Sequence, residues 1–292
     1  MLDEDGRLYA HARLINAAFE KYFPATGENG TLVKSIRYTA LAPGKRIRPH
    51  LTLEFCRLFG GKEEEALPYA CAVEAIHTGY IIYDDLPCMD NGDLRRGRAT
   101  NHRVYGEATA TLAGGALTSF AFYLTSTNRF FDSETNARAT ALLAEKSGYT
   151  GMFGGQAEDI QNEDREVNCR DLERINRLKT GALLEAACGL GCIAAHAGES
   201  AYIDASAYAL NFGAAFQIID DYLDIRIPTK LLGKSALSDV KNVKTTFITM
   251  LGEEGALDLA KQYTERAAEA ISKYPGSDYL TQFAFNMLQR KR

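Results

Sequence analysis

Two short clusters of aspartates stand out because each lies within an otherwise apolar stretch of sequence. Their members are Asp84, Asp85 and Asp90 in the first cluster and Asp220, Asp221 and Asp224 in the second. Unpaired carboxylates are costly to bury, so we expect a cation to compensate them. Oxygen ligands without histidine or cysteine suit a hard cation such as Mg²⁺, which readily shares its site with phosphate groups. The clusters therefore predict magnesium sites that face a phosphate-bearing ligand.

The spacing within each cluster indicates how its carboxylates converge. Asp220 and Asp224 are four residues apart, which places both on one face of a helix. In the first cluster Pro87 should end the helix, and the chain can then bring Asp90 back towards Asp84. A solvated helix end or a salt-bridged acidic patch would explain one such cluster alone, but two of them in apolar sequence favour metal binding.

Positively charged side chains form a separate set. The members of this set, together with the glycine that precedes the first of them, are Gly44, Lys45, Arg48, Arg95, Arg96, Lys179, Lys234 and Lys244. Arginine binds phosphate oxygens in pairs, and lysine adds a compact charge. A helix that begins after Gly44 would add backbone N–H groups and a favourable dipole. Each cation alone is typical of ordinary surface charge, but the set predicts a second polyanion site that needs no metal.

The elements that position these residues are predicted to be helices. Apolar residues recur at helical spacing, and strand alternation is nowhere sustained. The predicted helices cover residues 8–23, 45–59, 63–83, 108–129, 134–154, 169–195, 202–225, 247–250 with an extension, 255–273 and 279–290. No run of Gly, Ser or Pro is long enough to be a linker. The fold class is therefore all-α, and residues 1–292 are expected to form a single domain built as one large helical bundle.

Composition excludes several classes of protein. The formal net charge of −5, with 46% hydrophobic and 24% charged residues, is ordinary for a globular chain and argues against a general nucleic-acid surface. No apolar run reaches the length of a membrane span, and the acidic start differs from a secretory signal. The six cysteines show no zinc-type pairing. They are expected to be reduced thiols, which predicts a cytoplasmic location.

Taken together, the motifs resemble the trans-type prenyl diphosphate synthases of the bacterial short-chain type, the family of farnesyl and geranylgeranyl diphosphate synthases. The similar stretches follow the family's order: PGKRIRP, DDLPCMD with LRRG, GGQAEDI, RLKTGALLEAA, FQIIDDYLD and LGKSALSDVKNVKTT. The resemblance implies the isoprenoid synthase fold, in which helices surround a deep central cavity, and usually a homodimer. The segment after Asp224 departs from the family's pattern.

The resemblance also implies roles for individual residues. The six aspartates would hold about three Mg²⁺ ions against an allylic diphosphate. Direct contacts to that diphosphate would come from Arg95, Lys179 and Lys234. Isopentenyl diphosphate would be held without metal by Lys45, Arg48, His77 and Arg96, with Gly44 and Lys244 as further substrate-binding residues. Thr180 and Gln217 would lie beside the developing cation, and Gln156 would line the pocket.

The implied reaction joins isopentenyl diphosphate to a dimethylallyl or geranyl primer without a side-chain nucleophile. Arg95, Lys179, Thr180 and Gln217 are its expected catalytic residues. A class I terpene cyclase is one alternative, although it would not need the metal-free basic site. A non-catalytic synthase subunit is another, although such subunits usually lose metal-binding carboxylates, and both clusters are complete here.

The resemblance implies that product length depends on Tyr80 and Gly79, the residues four and five before Asp84. The ring of Tyr80 should stop chain growth early, whereas Gly79 should leave space beside it. A farnesyl product is therefore expected, with geranylgeranyl and geranyl products as alternatives.

Overall fold

The computed structural model describes residues 6–25, 30–162, 165, 167–226 and 245–289. Helices dominate these residues, and the only strands among them form a hairpin of two residues each. The elements are α1 (Arg7–Tyr22), α2 (Gly30–Ala40), α3 (Ile47–Leu58), α4 (Glu63–Asp84), β1 (Leu94–Arg95), β2 (Arg98–Ala99), α5 (Asn101–Tyr105), α6 (Glu107–Ser126), α7 (Ser133–Ser147), α8 (Met152–Gln161), α9 (Cys169–Asn176), a π-helical turn (Arg177–Gly181), α10 (Ala182–Ala194), α11 (Glu199–Arg226), α12 (Phe247–Ile271) and α13 (Asp278–Leu288). The predicted all-α class is confirmed.

The centre of the bundle contains α4 and α10. Every residue of α10 except Glu185 is buried, and α4 is buried along most of its length. A helix that is apolar around its circumference needs neighbours on all sides, and α10 accordingly packs against α3, α4, α7 and α11. The first aspartate cluster therefore begins at the C-terminal end of a central helix.

The predicted helix over residues 134–154 is wrong, because the structure divides it into α7 and α8. A side chain at Gly151 would collide with the backbone of Lys146, so the chain turns sharply where only glycine fits. Helix α2, the short helix α5 and the β-hairpin had no counterpart in the prediction. The predicted helix over residues 169–195 is confirmed, because α9, the π-helical turn and α10 follow one another without a break.

None of the helices described by the structure is long and apolar enough to cross a membrane.

Candidate active site

The first aspartate cluster forms where α4 ends. The chain turns after Asp85, and the backbone N–H of Asp90 donates a hydrogen bond of 2.9 Å to the carbonyl of Asp84. The predicted return of Asp90 towards Asp84 is thus confirmed. Asp84 and Asp85 are only 7% and 4% exposed, so their carboxylates face the protein interior and need compensation.

Arg95 supplies that compensation. Its Nη2 lies 2.9 Å from Oδ2 of Asp84, and its Nε lies 2.7 Å from Oδ1 of Asp85. Burial nevertheless raises the pKa of Asp85 to about 6, against the opposing charge of Arg95. The β-hairpin makes this contact possible, because the tight turn at Arg96 and Gly97, both with positive φ, points β1 back towards the end of α4. The buried carboxylate oxygens suit Mg²⁺, and Arg95 is the cation that balances them here.

Gln156 of α8 connects the first cluster to the wall of the site. Its amide nitrogen lies 3.1 Å from Oδ1 of Asp84 and donates to it, while its carbonyl accepts a hydrogen bond of 2.6 Å from the hydroxyl of Tyr80. Because Gln156 is 2% exposed, this chain of contacts fixes the orientation of Asp84 without solvent.

The second aspartate cluster lies on α11 and is connected to the π-helical turn. Thr180 donates a hydrogen bond of 3.0 Å to the carbonyl of Gln217, whose amide donates one of 2.9 Å to Asp221. Burial raises the pKa of Asp221 to about 7, with further contributions from the charges of Asp220 and Asp224. Such π-helical turns are frequently found at functional sites, and this one directs Thr180 towards α11.

Asp159 lies between the two clusters. Burial is the main cause that raises the pKa of Tyr80, beside the first cluster, and the pKa of Asp221 in the second, and the charge of Asp159 adds to both shifts. Its carboxylate also accepts a hydrogen bond of 2.7 Å from Lys179. The close approach of Gly155 to the backbone of Lys179 brings α8 against the π-helical turn. The two clusters thus line one region, with Lys179 between them.

The metal-free basic site centres on Arg48 and His77. Nη1 of Arg48 lies 3.5 Å from Nε2 of His77. Among the described residues, Nε of Arg48 and Nδ1 of His77 are buried without a hydrogen-bond partner. Burial, and then the positive charges of Arg48 and neighbouring arginines, hold the pKa of His77 well below its usual value. Buried groups in this state are expected to bind something that the protein itself does not supply, and an anion fits the charge.

Arg96 completes the basic site from the hairpin turn. Its Nη1 donates a hydrogen bond of 2.7 Å to the carbonyl of Pro43. A side chain at Gly44 would collide with the guanidinium of Arg96, so the glycine is what lets the two segments cross. The predicted partners Gly44, Arg48, His77 and Arg96 are therefore brought together.

Comparisons with known proteins agree with this geometry. The family model described as Polyprenyl synthetase matches residues 29–279. The chain belongs to this family. It is 42% identical over 274 residues to a protein of Arabidopsis thaliana named geranylgeranyl pyrophosphate synthase 9, chloroplastic, covering 91% of this chain and 76% of that one. It is 41% identical over 266 residues to a geranylgeranyl diphosphate synthase of Cyanophora paradoxa, covering 90% of this chain and 88% of that one.

Solved structures of polyprenyl synthetases share the fold. A farnesyl/geranylfarnesyl diphosphate (FPP/GFPP) synthase of Zymomonas mobilis gives a TM-score of 0.87 at 34% identity, over 96% of this chain and 97% of that one. A geranyltransferase of Helicobacter pylori, solved with magnesium and isoprenyl diphosphate, gives a TM-score of 0.85 at 27% identity, over 97% and 95%. The protein is therefore a prenyltransferase with the all-α isoprenoid synthase fold.

Arg46 of this polyprenyl synthetase is a structural residue to which sequence analysis assigned no role. Its guanidinium is buried and forms an ion pair of 2.6 Å with Glu74, and it also bonds Asn16 and the carbonyls of Ala40 and Ala42. The predicted helix start after Gly44 is displaced, because α3 begins only at Ile47. The sequence signal for this buried ion pair was Glu74, a single glutamate within an otherwise apolar stretch of α4.

The expectation that Gly79 leaves space beside Tyr80 is wrong. A side-chain carbon at Gly79 would lie 2.9 Å from the carbonyl of Gly114 on α6, with Leu117 and Thr118 close behind. Gly79 is therefore the point of closest approach between α4 and α6, and a helix occupies the predicted space. The residues that sequence analysis missed beside Tyr80 are Tyr83 and Phe153, whose rings lie 6.2 Å apart.

Lys234 and Lys244, predicted to bind substrate, and the unusual segment after Asp224 lie outside the described residues.

Proposed function

We propose that this prenyltransferase condenses isopentenyl diphosphate with an allylic diphosphate and that geranylgeranyl diphosphate is its main product. The arrangement of two unlike anion sites carries the proposal. Paired carboxylate clusters with Lys179 and Arg95 suit a diphosphate held through metal, whereas the unpartnered atoms of Arg48 and His77 suit one held without metal. A terpene cyclase, which uses a single diphosphate, would leave the second site without a role.

The allylic diphosphate is proposed to bind between the aspartate clusters. Mg²⁺ bound to Asp84, Asp85, Asp90, Asp220, Asp221 and Asp224 would draw negative charge onto the leaving diphosphate and so assist its departure. Lys179 and Arg95 are each paired with carboxylates, and they would exchange those partners for phosphate oxygens. Their positive charges would then stabilise the diphosphate as the carbon–oxygen bond breaks.

Isopentenyl diphosphate is proposed to bind the basic site. Arg48 and Arg96 would each offer paired donors to its phosphate oxygens, and Lys45 would add charge. His77, whose pKa is depressed, is neutral near pH 7 and donates a single hydrogen bond to the same ligand. In this arrangement the double bond of isopentenyl diphosphate would lie beside the carbon that loses the allylic diphosphate.

The carbocation formed between the two sites needs shelter from water. The Thr180 hydroxyl donates to the side-chain carbonyl of Gln217, and this hydrogen bond restrains both oxygen atoms beside the proposed site of the cation. The departed diphosphate, held by Lys179, is the proposed acceptor of the proton that the product loses. This assignment requires no nucleophilic side chain.

A farnesyl product is the second candidate. The ring of Tyr80 is immobilised beside Asp84 through Gln156 and stands in the first turn below the diphosphate site. The related protein of Zymomonas mobilis is named as an FPP/GFPP synthase. The geranylgeranyl product is favoured because that name recurs among the relatives from Arabidopsis thaliana and Cyanophora paradoxa.

The experiment that tests the function is a product assay. Purified protein is incubated with Mg²⁺, isopentenyl diphosphate and dimethylallyl diphosphate, and the prenyl alcohols released by phosphatase are identified by mass spectrometry. A twenty-carbon alcohol supports the proposal, and a fifteen-carbon alcohol supports the second candidate. If no product forms with dimethylallyl, geranyl or farnesyl diphosphate as primer, the chain is a non-catalytic subunit or a cyclase instead.

The assembly is proposed to be a homodimer of single-domain chains. Leu112 and Tyr123 on α6 are large apolar side chains that are 65% and 61% exposed, and a second copy of the chain would cover them. One family model spans residues 29–279 without a break, in accord with a single domain. The cytoplasmic location stays a prediction, since the relatives from Arabidopsis thaliana include proteins named as chloroplastic.

A further inference from the structure

A tyrosine ring seated in a groove of α6 lies beside the diphosphate site. We propose that Tyr83, held against Gly114 and Gly115, sets the length of the prenyl product. This inference rests on the proposed function, because it concerns where the growing chain ends. It assigns product length to a residue adjacent to Asp84 and to the helix behind it, instead of to Gly79.

The position of the ring follows from two adjacent glycines. A side-chain carbon at Gly114 would lie 2.7 Å from Cζ of Tyr83 and 2.9 Å from Cε1, far inside normal contact distance. One at Gly115 would lie 3.3 Å from the Tyr83 hydroxyl. The Tyr83 ring therefore occupies the volume that a larger side chain at position 114 would take. Because residue 114 is glycine, the ring can pack close to α6 and away from the proposed path of the prenyl chain.

The direction of the side chain places it along the path of the product. Side chains of a helix lean towards its N-terminus, so the ring of Tyr83 covers the turn of α4 below Asp84. In this proposal, a prenyl chain whose diphosphate is bound at Asp84 passes this turn on its way into the bundle. Tyr83 is only partly buried, whereas its neighbour Ile82 is fully buried in the core.

Phe153 of α8 packs beside both tyrosines. Its ring lies 6.2 Å from that of Tyr83 and 6.0 Å from that of Tyr80, at steep angles to both. These three rings form an aromatic wall one turn below the metal ligands. Tyr80 is fixed in this wall by its hydrogen bond to Gln156, whereas Tyr83 is held there by packing against the glycines.

Because of this difference, Tyr83 can be replaced without breaking a hydrogen bond that leads to the metal site, whereas Tyr80 cannot. Replacing Tyr80 disturbs Gln156 and with it Asp84, so its effect on length is mixed with an effect on the metal site. Replacing Tyr83 changes volume alone. Adding a methyl group at Gly114 would push the Tyr83 ring out of its groove and into the path of the chain.

The test combines changes with opposite expected effects. Tyr83→Ala should lengthen the main product by at least one five-carbon unit, because it removes the ring. Gly114→Ala should shorten the product by at least one unit, because it displaces the ring. Tyr83→Phe, which keeps the ring, should retain the wild-type length. Products are measured with dimethylallyl, geranyl and farnesyl diphosphate as primers, by mass spectrometry of the alcohols after phosphatase treatment.

A double variant separates this mechanism from general damage to the bundle. If Gly114→Ala acts through the tyrosine ring, it should lose its shortening effect in a Tyr83→Ala background. Gly115→Ala is a milder form of the same change, since its new methyl group meets only the hydroxyl at 3.3 Å, and it should shorten the product less than Gly114→Ala does. Tyr83→Leu repeats the lengthening test if Tyr83→Ala fails to fold.

The contrary outcomes are distinct. A wild-type product distribution from Tyr83→Ala or Tyr83→Leu would overturn the inference while leaving the proposed function intact. Shortening by Gly114→Ala that persists in the double variant would overturn it as well. Absence of any prenyl product from the wild-type chain would overturn the proposed function itself, and the inference with it.

Discussion

The hydroxyl of Tyr80 donates a hydrogen bond of 2.6 Å to the side-chain carbonyl of Gln156. Because the amide of Gln156 in turn holds Asp84, a residue expected to limit product length also orients a residue expected to bind metal. Two substitutions at position 80 separate these roles.

Tyr80→Phe should weaken metal binding and leave product length unchanged. The ring stays, but the lost hydrogen bond, worth about 1 kcal/mol, frees Gln156 and Asp84 to reorient. We expect the Mg²⁺ concentration for half-maximal activity to rise about fivefold, as measured by a metal titration. Tyr80→Ala should also lengthen the product. Tyr149→Phe, at a residue that is 90% exposed, is the control, and equal metal requirements in Tyr80→Phe and this control would contradict the expectation.

Arg95→Met should lower the stability of the metal-free protein and the rate of the reaction. The change leaves the carboxylates of Asp84 and Asp85 buried without their cation, at a cost on the order of 1–3 kcal/mol. Added Mg²⁺ should restore most of the lost melting temperature, because it replaces the missing charge. Differential scanning fluorimetry with and without Mg²⁺ measures both effects.

The control for this change is the Arg103–Asp93 pair, whose side chains are 59% and 52% exposed. An exposed ion pair contributes little to stability, so Arg103→Met should leave the melting temperature nearly unchanged. A similar loss in both variants would show that Arg95 has no special relation to the acidic cluster.

Glu74→Gln should destabilise the fold and selectively weaken binding of isopentenyl diphosphate. The ion pair with Arg46 is buried, with both side chains less than one-twentieth exposed, and breaking such a pair costs about 3 kcal/mol. Arg46 also bonds the carbonyls of Ala40 and Ala42, so its displacement should move the segment that carries Arg48. Steady-state kinetics should show KM for isopentenyl diphosphate rising more than KM for the allylic primer.

Glu65→Gln is the matched control, because Glu65 forms an exposed pair with Lys62 near the start of the same helix. It should change stability by less than about 1 kcal/mol. Equal increases in the two KM values of Glu74→Gln would instead indicate a general loss of structure.

Stability should fall on acidification because of His50. Burial, followed by the charges of His11, Arg57 and Arg7, holds the pKa of His50 well below 6.5. Its two ring nitrogens contact His11 at 2.8 Å and Tyr279 at 3.2 Å. In the unfolded chain His50 takes up a proton near pH 6.5, whereas in the folded protein it stays neutral to a lower pH. The contribution of His50 to folding stability is therefore complete above pH 6.5 and is lost as pH falls towards its pKa in the folded protein.

The measurement is the melting temperature of the Mg²⁺-free protein over a series of pH values below about 7. His50→Gln cannot titrate and should flatten the decline, even if its melting temperature near neutrality is lower. His196→Gln, at an exposed position, should leave the decline as it is. A decline of the same slope in His50→Gln and the wild type would assign the acid sensitivity to other groups.

Local spacing determined much of the architecture and of the acidic site. Apolar periodicity predicted the helices α4 and α11, and the contrast between their apolar residues and the embedded aspartates predicted the carboxylate clusters. Pro87 predicted the turn that returns Asp90 to Asp84, which the structure confirms. These features depend on residues within a few positions of one another, so the sequence alone contains the necessary information.

Only the tertiary structure decided which polar residues meet. Lys45, Arg46 and Arg48 are equivalent in sequence, but Arg46 turns inward because Glu74 lies on a helix that packs behind it. The space expected beside Gly79 is filled by α6, and the ring of Tyr83 takes the groove at Gly114. Contacts of this kind join residues far apart in the chain, and they depend on how closely two helix backbones approach, which helical periodicity does not specify.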